Sequence, residues 1–190
     1  MRTVRPPNTP GPALAGAGLA LILAWLLALA WPAPAKAGPE GVWVRVSRVH
    51  DGDTLTVRYR GRDERVRLLA VDAPETGHSR KLERAAQRAG RAPGQEARLG
   101  DMARDYVAGL VGPGERVRLV FEPGGKRRDD HRRLLAWVHL ADGRQLNELL
   151  IAEGYARVYR RCRCQGLERL LRLEDQARRG GRGLWALGGP

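Results

Sequence analysis

The sequence predicts an α+β protein that is mainly β, with five short strands, about three helices and an apolar segment at its N-terminus. Three observations lead to this fold class. Apolar and polar residues alternate in several short runs, Gly- and Asp-containing turn signals separate these runs, and other segments repeat apolar residues at helical spacing. The chain has 190 residues, enough for one ordinary domain and an additional segment.

The strands are predicted from five runs with period-two alternation. VWVRVSRV, TLTVRYR and ERVRLLAV lie between residues 42 and 71 and are separated by Asp51-Gly52 and Gly61-Arg62-Asp63. This pattern predicts an antiparallel meander. ERVRLVFE and RLLAWVHL, at residues 115–122 and 133–140, predict two more strands on either side of the charged loop PGGKRRDDHR.

The helices are predicted from apolar residues that recur at intervals of three and four. The main group comprises Leu99, Met102, Ala103, Tyr106, Val107 and Leu110. It predicts an amphipathic helix over Gln95–Val111. Two shorter helices are expected near Asn147–Glu153 and Leu167–Arg179, with Trp185 as a late apolar anchor. The polar stretch Gly77–Gly94 contains few large apolar residues and is predicted to be a mobile basic loop.

The order of these elements predicts the architecture. Three strands in a meander, a helix, two further strands and C-terminal helices are typical of a partly open, five-stranded barrel of the OB type. Residues 38–190 are assigned to this one domain, since no internal repeat or second domain is visible. Cys162 and Cys164 are one residue apart, and an extended pair at this spacing is too far apart for an unstrained disulfide. Neither cysteine is given a catalytic role, and oxidation between molecules stays open.

Residues 1–37 have the features of a secretory signal. Two arginines precede the apolar run Ala13–Trp31, and Ala35-Lys36-Ala37 offers a small-x-small cleavage site. The apolar run has 19 residues without a charge. Since this approaches the roughly 20 residues that span a bilayer, an uncleaved membrane anchor is the alternative, with membrane association through residues 13–31. Either way, the protein is expected to be secreted, periplasmic or otherwise outside the cytoplasm.

The chain is strongly basic, with 34 Lys and Arg against 21 Asp and Glu and a formal charge of +13. Such an excess favours a polyanionic partner, of which nucleic acid is the commonest. Charge alone leaves three classes open: a nuclease, a heparin-type polysaccharide binder and an ordinary basic protein. No stable protein partner is implied by the sequence.

One set of polar residues is required neither by the predicted core nor by the turns. It comprises Asp53, Arg67, Asp72, Glu75 and the pair Arg132-Arg133. Carboxylates brought together bind a divalent cation such as calcium, which Asp53 and Asp72 could do. Glu75 follows the restricted Ala73-Pro74 unit and could orient or deprotonate a water. The planar, permanently charged guanidinium of Arg suits the charged transition state of phosphodiester hydrolysis.

These residues also have purely structural interpretations. Asp51-Gly52 is a good hairpin turn with or without a metal, and Asp72 could cap a turn before Ala73-Pro74. Arg67 and Asp72 are five residues apart, so strict alternation in one strand would place them on opposite faces. For the two to meet, a bend or bulge must intervene, or Asp72 must lie beyond the strand end.

The segment His50–Thr76, HDGDTLTVRYRGRDERVRLLAVDAPET, resembles the opening signature of the staphylococcal nuclease, or thermonuclease, family. The similarity continues in GQEA at residues 94–97, in residues 129–158 and in the closing helix with Trp185. The resemblance implies a five-stranded OB barrel with helices. It also implies a calcium-dependent endonuclease that hydrolyses DNA and RNA with little sequence specificity and leaves 3′-phosphates.

The resemblance assigns roles to particular residues. It places the calcium ligands on Asp53, Asp72 and the backbone carbonyl of Ala73, where the family often has Thr. It places the general base on Glu75 and the two phosphate-binding arginines on Arg67 and Arg133. Arg133 is preferred to Arg132 because the segment Leu135-Ala136-Trp137 fixes the register.

The chain departs from the family pattern near the second arginine and beyond the second predicted helix. His131-Arg132 replaces the usual Tyr-Gly, and Tyr159 is the nearest aromatic residue to the segment where the family stacks the nucleotide. The loop between Glu75 and Glu96 is longer and more basic, which favours an unpaired strand as substrate. The alternative function is a non-catalytic nucleic-acid-binding OB-fold module. The presence of all three acids and both arginines favours the enzyme.

Overall fold

A computed structural model describes residues 40–77 and 80–190, with the side chains of residues 80 and 81 left out. Pro39–Pro190 form one compact unit. The predicted signal segment, residues 1–37, lies outside the described residues, so cleavage and anchoring both stay predictions. Among the helices that the structure describes, none combines the length and hydropathy needed to cross a membrane.

The centre of the fold is a five-stranded barrel, which confirms the predicted α+β class and the OB architecture. Its strands are β1 (Val42–Asp51), β2 (Thr54–Tyr59), β3 (Arg62–Leu68), β5 (Arg116–Val120) and β6 (Leu134–His139). They follow the order β1-β2-β3-β6-β5, in which β3 and β6 are parallel and the other pairs antiparallel. The barrel is closed, not partly open as expected, because β1 pairs with both β2 and β5. Register shifts in β1 between Val46 and Arg48 and between Val49 and Asp51 help it to bend around both partners.

The barrel core consists of every second residue of the strands. The inward positions that are fully or almost fully buried are Val44, Val46, Leu55, Val57, Val66, Leu68, Val117, Leu119, Ala136 and Val138. Alternation along each strand therefore leaves the intervening polar residues on the outer surface. Two further short strands, β4 (Val71–Asp72) and β7 (Arg157–Val158), form a separate antiparallel pair that the sequence did not predict.

Four α-helices lie within the described residues, one more than expected. They are α1 (Arg80–Ala89), α2 (Pro93–Leu110), α3 (Leu146–Ala152) and α4 (Leu167–Arg179), followed by a 3-10 helix at Gly183–Leu187. The prediction of a mobile loop over Gly77–Gly94 is wrong, because α1 occupies most of it. Leu82 and Ala86, one turn apart, are buried as α1 packs on α2. Two buried residues give too narrow an apolar stripe to be noticed in a polar sequence.

Three smaller expectations also change. Met102 belongs to the helical repeat but is 40% exposed, and the closing anchor is the fully buried Leu184 more than the half-buried Trp185. Cys162 and Cys164 form a disulfide, with their α-carbons 5.5 Å apart. This Cα distance matches the usual one for a disulfide and is shorter than that of a fully extended pair, so the backbone between the two cysteines is not fully extended.

Candidate active site

The turn between β1 and β2 holds the first acidic residues of the candidate site. Asp51 ends β1 and pairs with Thr54, so the two loop residues are Gly52 and Asp53, not Asp51 and Gly52. The Asp53 N–H donates to Asp51 Oδ1 at 3.0 Å and stabilises the turn. Gly52 lacks a positive φ, but a Cβ there would lie 2.7 Å from the Ala73 Cβ and 2.8 Å from the Ala103 Cβ. Glycine is required here because the turn packs directly against α2 and the Ala73 segment.

Asp53 is a buried carboxylate, 4% exposed, with three partners. Its Oδ2 accepts the N–H of Ala73 at 2.9 Å, and its Oδ1 accepts the Thr54 hydroxyl at 3.0 Å. Arg67 Nη1 contacts Oδ2 as an ion pair. A buried charge needs such compensation, so Asp53 is fixed in place and joined to both Arg67 and Ala73.

Arg67 and Asp72 meet because the strand that carries Arg67 ends between them. β3 stops at Leu68, Ala70 takes a left-handed φ of 59°, and Asp72 lies on the separate strand β4. Arg67 Nη2 then lies 3.4 Å from Asp72 Oδ1. Of the arrangements that the sequence allowed, the structure has Asp72 beyond the strand end. The guanidinium of Arg67 thus lies between two carboxylates.

Glu75 is held against α2 by a close backbone contact. A Cβ on Gly100 of α2 would lie 2.1 Å from the Glu75 carbonyl oxygen, so only glycine allows this approach. The Glu75 side chain is half-buried. Burial, followed by the charges of Asp53 and Glu75, raises the pKa of Asp51 to about 7. Three carboxyl groups therefore lie near one another at this end of the barrel.

Arg133 is oriented by an acid from its own loop. Its Nε donates to Asp129 Oδ2 at 2.7 Å, and its N–H donates to Asp129 Oδ1 at 2.8 Å. Burial alone would raise the pKa of Asp129, but the hydrogen bonds from Arg133 hold that pKa below its usual range. Arg132 takes a left-handed φ of 65° and is exposed. The loop thus turns Arg133, and not Arg132, toward the body of the protein.

A groove of about 760 Å³ collects part of the predicted site. Arg67, Asp72 and Arg133 line it together with Tyr159 and the Cys162–Cys164 segment. Asp53, Ala73 and Glu75 are not among its lining residues. The structure therefore brings Asp53, Arg67, Asp72 and Ala73 into direct contact and places Arg133 on the same groove. Glu75 lies near Asp51, and its charge contributes to the raised pKa of Asp51.

Three polar residues near the site were not predicted from the sequence. The sequence predicts Asp51 only as part of a turn and Asp129 only as part of a charged loop, and no pattern singles out Arg157. Arg157 pairs opposite Asp72 in β7, and its Nε lies 3.0 Å from Asp72 Oδ2. Asp51 and Asp129 stand in the motifs HDGDT and DDHRR, where their acidity was the available signal. Arg157 could be found only by knowing the β4–β7 pairing.

The predicted calcium ligands form an incomplete but suitable set of hard oxygen donors. Within residues 40–77 and 80–190, no group of three or more His, Cys, Asp or Glu side chains is arranged to hold a metal ion. Asp53 and Asp72 nevertheless converge on one cation, the Arg67 guanidinium. Two carboxylates beside the Ala73 backbone match the chemistry that calcium accepts, with water completing the coordination.

The closed OB barrel carries a groove lined by carboxylates and arginines, and the planar guanidinium suits a phosphate ligand. The chain belongs to the family described as staphylococcal nuclease homologues, which residues 65–187 match. The matched range includes Arg67, Asp72, Glu75 and Arg133 and begins after Asp53.

Three curated relatives carry endonuclease names. Endonuclease YncB of Bacillus subtilis (strain 168) is 38% identical over 115 residues, 60% of this chain and 47% of the relative. The SPbeta prophage-derived endonuclease YokF of the same strain is 38% identical over 119 residues, 63% of this chain and 35% of the relative. A relative from Escherichia coli O157:H7, named an uncharacterized endonuclease, is 30% identical over 142 residues, 75% of this chain and 76% of the relative. The chain thus spans less than half the length of the two Bacillus relatives. Family membership and these names support a hydrolytic nuclease.

Proposed function

We propose that the protein is an endonuclease that hydrolyses phosphodiester bonds in DNA and RNA with little sequence specificity. The observation that carries the proposal is the contact of Arg67 with both Asp53 and Asp72, on the groove that Arg133 also lines. A cation-binding pair of carboxylates and two arginines on one surface match the needs of a phosphodiester at its transition state. A binding module would need only the arginines.

Calcium is the proposed cofactor, held by Asp53, Asp72 and the backbone carbonyl of Ala73. When bound, it would stabilise negative charge that develops on the phosphate oxygens. The support is the convergence of the two carboxylates on one cation in this structure. Carboxylate and carbonyl oxygens are the ligands that calcium prefers.

The roles proposed for the side chains follow from their charges and surroundings. Arg67 and Arg133 bind the phosphate oxygens, because a guanidinium has five N–H donors and those engaged by carboxylates leave others for a ligand. Asp129 keeps Arg133 in position through two hydrogen bonds. Glu75 accepts a proton from the attacking water, as a carboxylate at the edge of the site can do. Release of 3′-phosphates is part of the proposal.

The substrate is proposed to be an unpaired strand in preference to a duplex. The groove is lined by Arg161, Arg163 and Lys126 in addition to the two site arginines, and Tyr159 on its edge is 46% exposed. Basic residues that follow the backbone and an aromatic ring that stacks on a base are sequence-tolerant contacts. We also propose that residues 1–37 direct export, which N-terminal sequencing of the exported chain would test.

The decisive experiment is a cleavage assay of the purified chain and its Glu75→Gln variant, with single- and double-stranded DNA and RNA. We expect the variant to lose about 10²- to 10⁴-fold in turnover, the usual contribution of a general base. Its thermal unfolding should match that of the parent. Equal cleavage by a folded variant would show that the base is another residue.

The same assay tests calcium and the alternative function. Cleavage by the parent should stop in excess chelator and return when calcium is added. Activity that persists in chelator would remove the metal assignment. A parent that binds single-stranded DNA but never cleaves it would instead be a nucleic-acid-binding module.

A further inference from the structure

The outward face of β1 carries a large exposed aromatic residue that the fold does not require. Val44 and Val46 point into the barrel, so alternation turns Trp43 and Arg45 outward. Trp43 is 44% exposed. After the register shift, Arg48 is exposed on the same strand, closer to the candidate active site.

The neighbouring strand β5 adds two arginines to this surface. Arg118 pairs directly opposite Trp43, and Arg116 pairs opposite Arg45. The guanidinium carbons of Arg116 and Arg118 lie 5.2 Å and 5.8 Å from the centre of the Trp43 ring. Both distances are within the range of a cation–π interaction. We call the surface formed by Trp43, Arg45, Arg48, Arg116 and Arg118 the outer basic face.

The arginines of the outer basic face form no ion pairs within the described residues, and the acid that contacts β1 there, Asp63, accepts the Ser47 hydroxyl at 3.1 Å. Arg48, Arg116 and Arg118 form no ion pair with any residue of the described ranges, and Arg45 donates to the Gly114 carbonyl at 2.9 Å. Arginines on the adjacent β2–β3 surface differ in this respect, since Arg58 pairs with Asp63 at 3.5 Å and Arg62 with Glu64 at 3.0 Å. An exposed aromatic ring amid uncompensated arginines suits a ligand with both flat apolar rings and regular negative charge.

We infer that the outer basic face binds single-stranded nucleic acid outside the catalytic groove, with a base stacked on Trp43 and phosphates on the arginines. This inference rests on the proposed function, since the ligand is the same polymer that the groove would cleave. β1 leads from Trp43 to Asp51, and eight residues at roughly 3.3 Å each span at most about 26 Å. Asp51 adjoins Asp53, whose partner Arg67 lines the groove. A strand long enough to follow β1 and continue to Arg67 would therefore contact both surfaces, and a short strand held in the groove would not reach Trp43.

The alternative partner for a tryptophan among arginines is an anionic membrane surface. Membrane-surface segments bury a broad apolar side with the aromatic residue. Here the exposed large apolar residues of β1 are Val42 and Trp43, and the positions beyond them on the outer basic face are arginines. The balance of charge to apolar surface favours the nucleic acid.

The test compares binding of a long and a short thymidine oligonucleotide, of about 16 and about 4 nucleotides, which bracket the site sizes of OB folds. Fluorescence anisotropy in the presence of a chelator measures Kd without cleavage. Trp43→Ala should raise Kd for the long oligonucleotide by about 5-fold to 150-fold, as expected for one lost stacking contact. Kd for the short one should not change. Trp43→Phe should retain most of the affinity, and Met102→Ala, which removes an apolar side chain of similar exposure on α2, should bind like the parent.

Arg116→Ala provides an independent measurement. The slope of log Kd against log salt for the long oligonucleotide should decrease by about 0.7 for the lost phosphate contact. Unchanged affinity and slope in both the Trp43→Ala and Arg116→Ala variants would overturn the inference. Equal weakening of long and short oligonucleotide binding in these variants would also overturn it. The same holds if the variants lose binding to anionic lipid vesicles but still bind the oligonucleotides.

The proposed function is tested separately, by measuring cleavage of the short oligonucleotide in the presence of calcium. A parent that cleaves while the face variants bind normally would refute only the outer basic face. A parent that binds through Trp43 without cleaving would refute only the endonuclease.

Discussion

At the scale of single residues, each site arginine is matched with an acid. Arg67 lies between Asp53 and Asp72, and Arg133 is held by Asp129. Long side chains lose conformational freedom when they bind a ligand, and a paired acid imposes that restriction in advance. The acids thus restrict the arginine side chains in the absence of a ligand.

Asp129→Ala tests this positioning role. We expect kcat/KM for single-stranded DNA to fall about 10-fold, because Arg133 loses two hydrogen bonds to a charged partner that fix its direction. The neighbouring Asp130→Ala, which removes an exposed acid from the same loop, should not lower kcat/KM. Equal losses in both variants would indicate that loop charge matters and that the orientation of Arg133 does not.

At the scale of secondary structure, α2 supports the loops of the candidate site through its small residues. Gly100 meets the Glu75 carbonyl, and Ala103 meets Gly52 beside Asp53. Both acidic segments therefore lie on one face of α2, and only small side chains separate their backbones from the backbone of the helix. Close-packed surfaces transmit displacements, so the helix sets the distance between Glu75 and Asp53.

Gly100→Ala tests the support from α2. The added Cβ would lie 2.1 Å from the Glu75 carbonyl oxygen, so the Glu75 segment must move. We expect the free energy of unfolding to fall by about 1–3 kcal/mol, as for overpacking, and kcat to fall with it. Gly109→Ala is the matched control on the same helix, since its Cβ meets nothing within 4 Å. This control should gain up to about 1 kcal/mol from helix propensity.

At the scale of the whole molecule, the acidic residues and the outer basic face lie on different parts of the closed barrel. The acids cluster where β1 meets β2, and Arg116 and Arg118 extend the positive charge along β5. His139 of β6 pairs directly opposite Arg118 of the outer basic face. Burial, and then the charge of Arg118, lowers the pKa of His139 from 6.5.

The lowered pKa of His139 makes stability depend on pH in a defined direction. In the unfolded chain the imidazole gains a proton near pH 6.5, whereas the folded state resists protonation until a lower pH. The contribution of neutral His139 is therefore present above pH 6.5 and is lost as pH falls toward the folded pKa. His139→Gln should reduce the loss of unfolding free energy on acidification, measured by urea denaturation above and below pH 6.5. If the free energy of unfolding of the variant kept the pH dependence of the parent, His139 would not be the group responsible.

The sequence by itself determined the barrel strands and the long helix α2, and it supplied the candidate site residues, whose roles stay predictions. Strand alternation and turn residues are local signals, and a motif such as HDGDT is recognised from adjacent positions alone. These local signals do not reveal α1, because among its described side chains only Leu82 and Ala86 are buried.

The tertiary structure alone decided which of these residues meet. The contact of Arg67 with Asp72 depends on a left-handed turn at Ala70, and the contact of Asp72 with Arg157 depends on strand pairing across 85 positions. The glycine in HDGDT is needed because α2 packs against it, which no local pattern reports. Sequence periodicity specifies which face of an element is buried, but the partner that covers that face is chosen by the packing of distant segments.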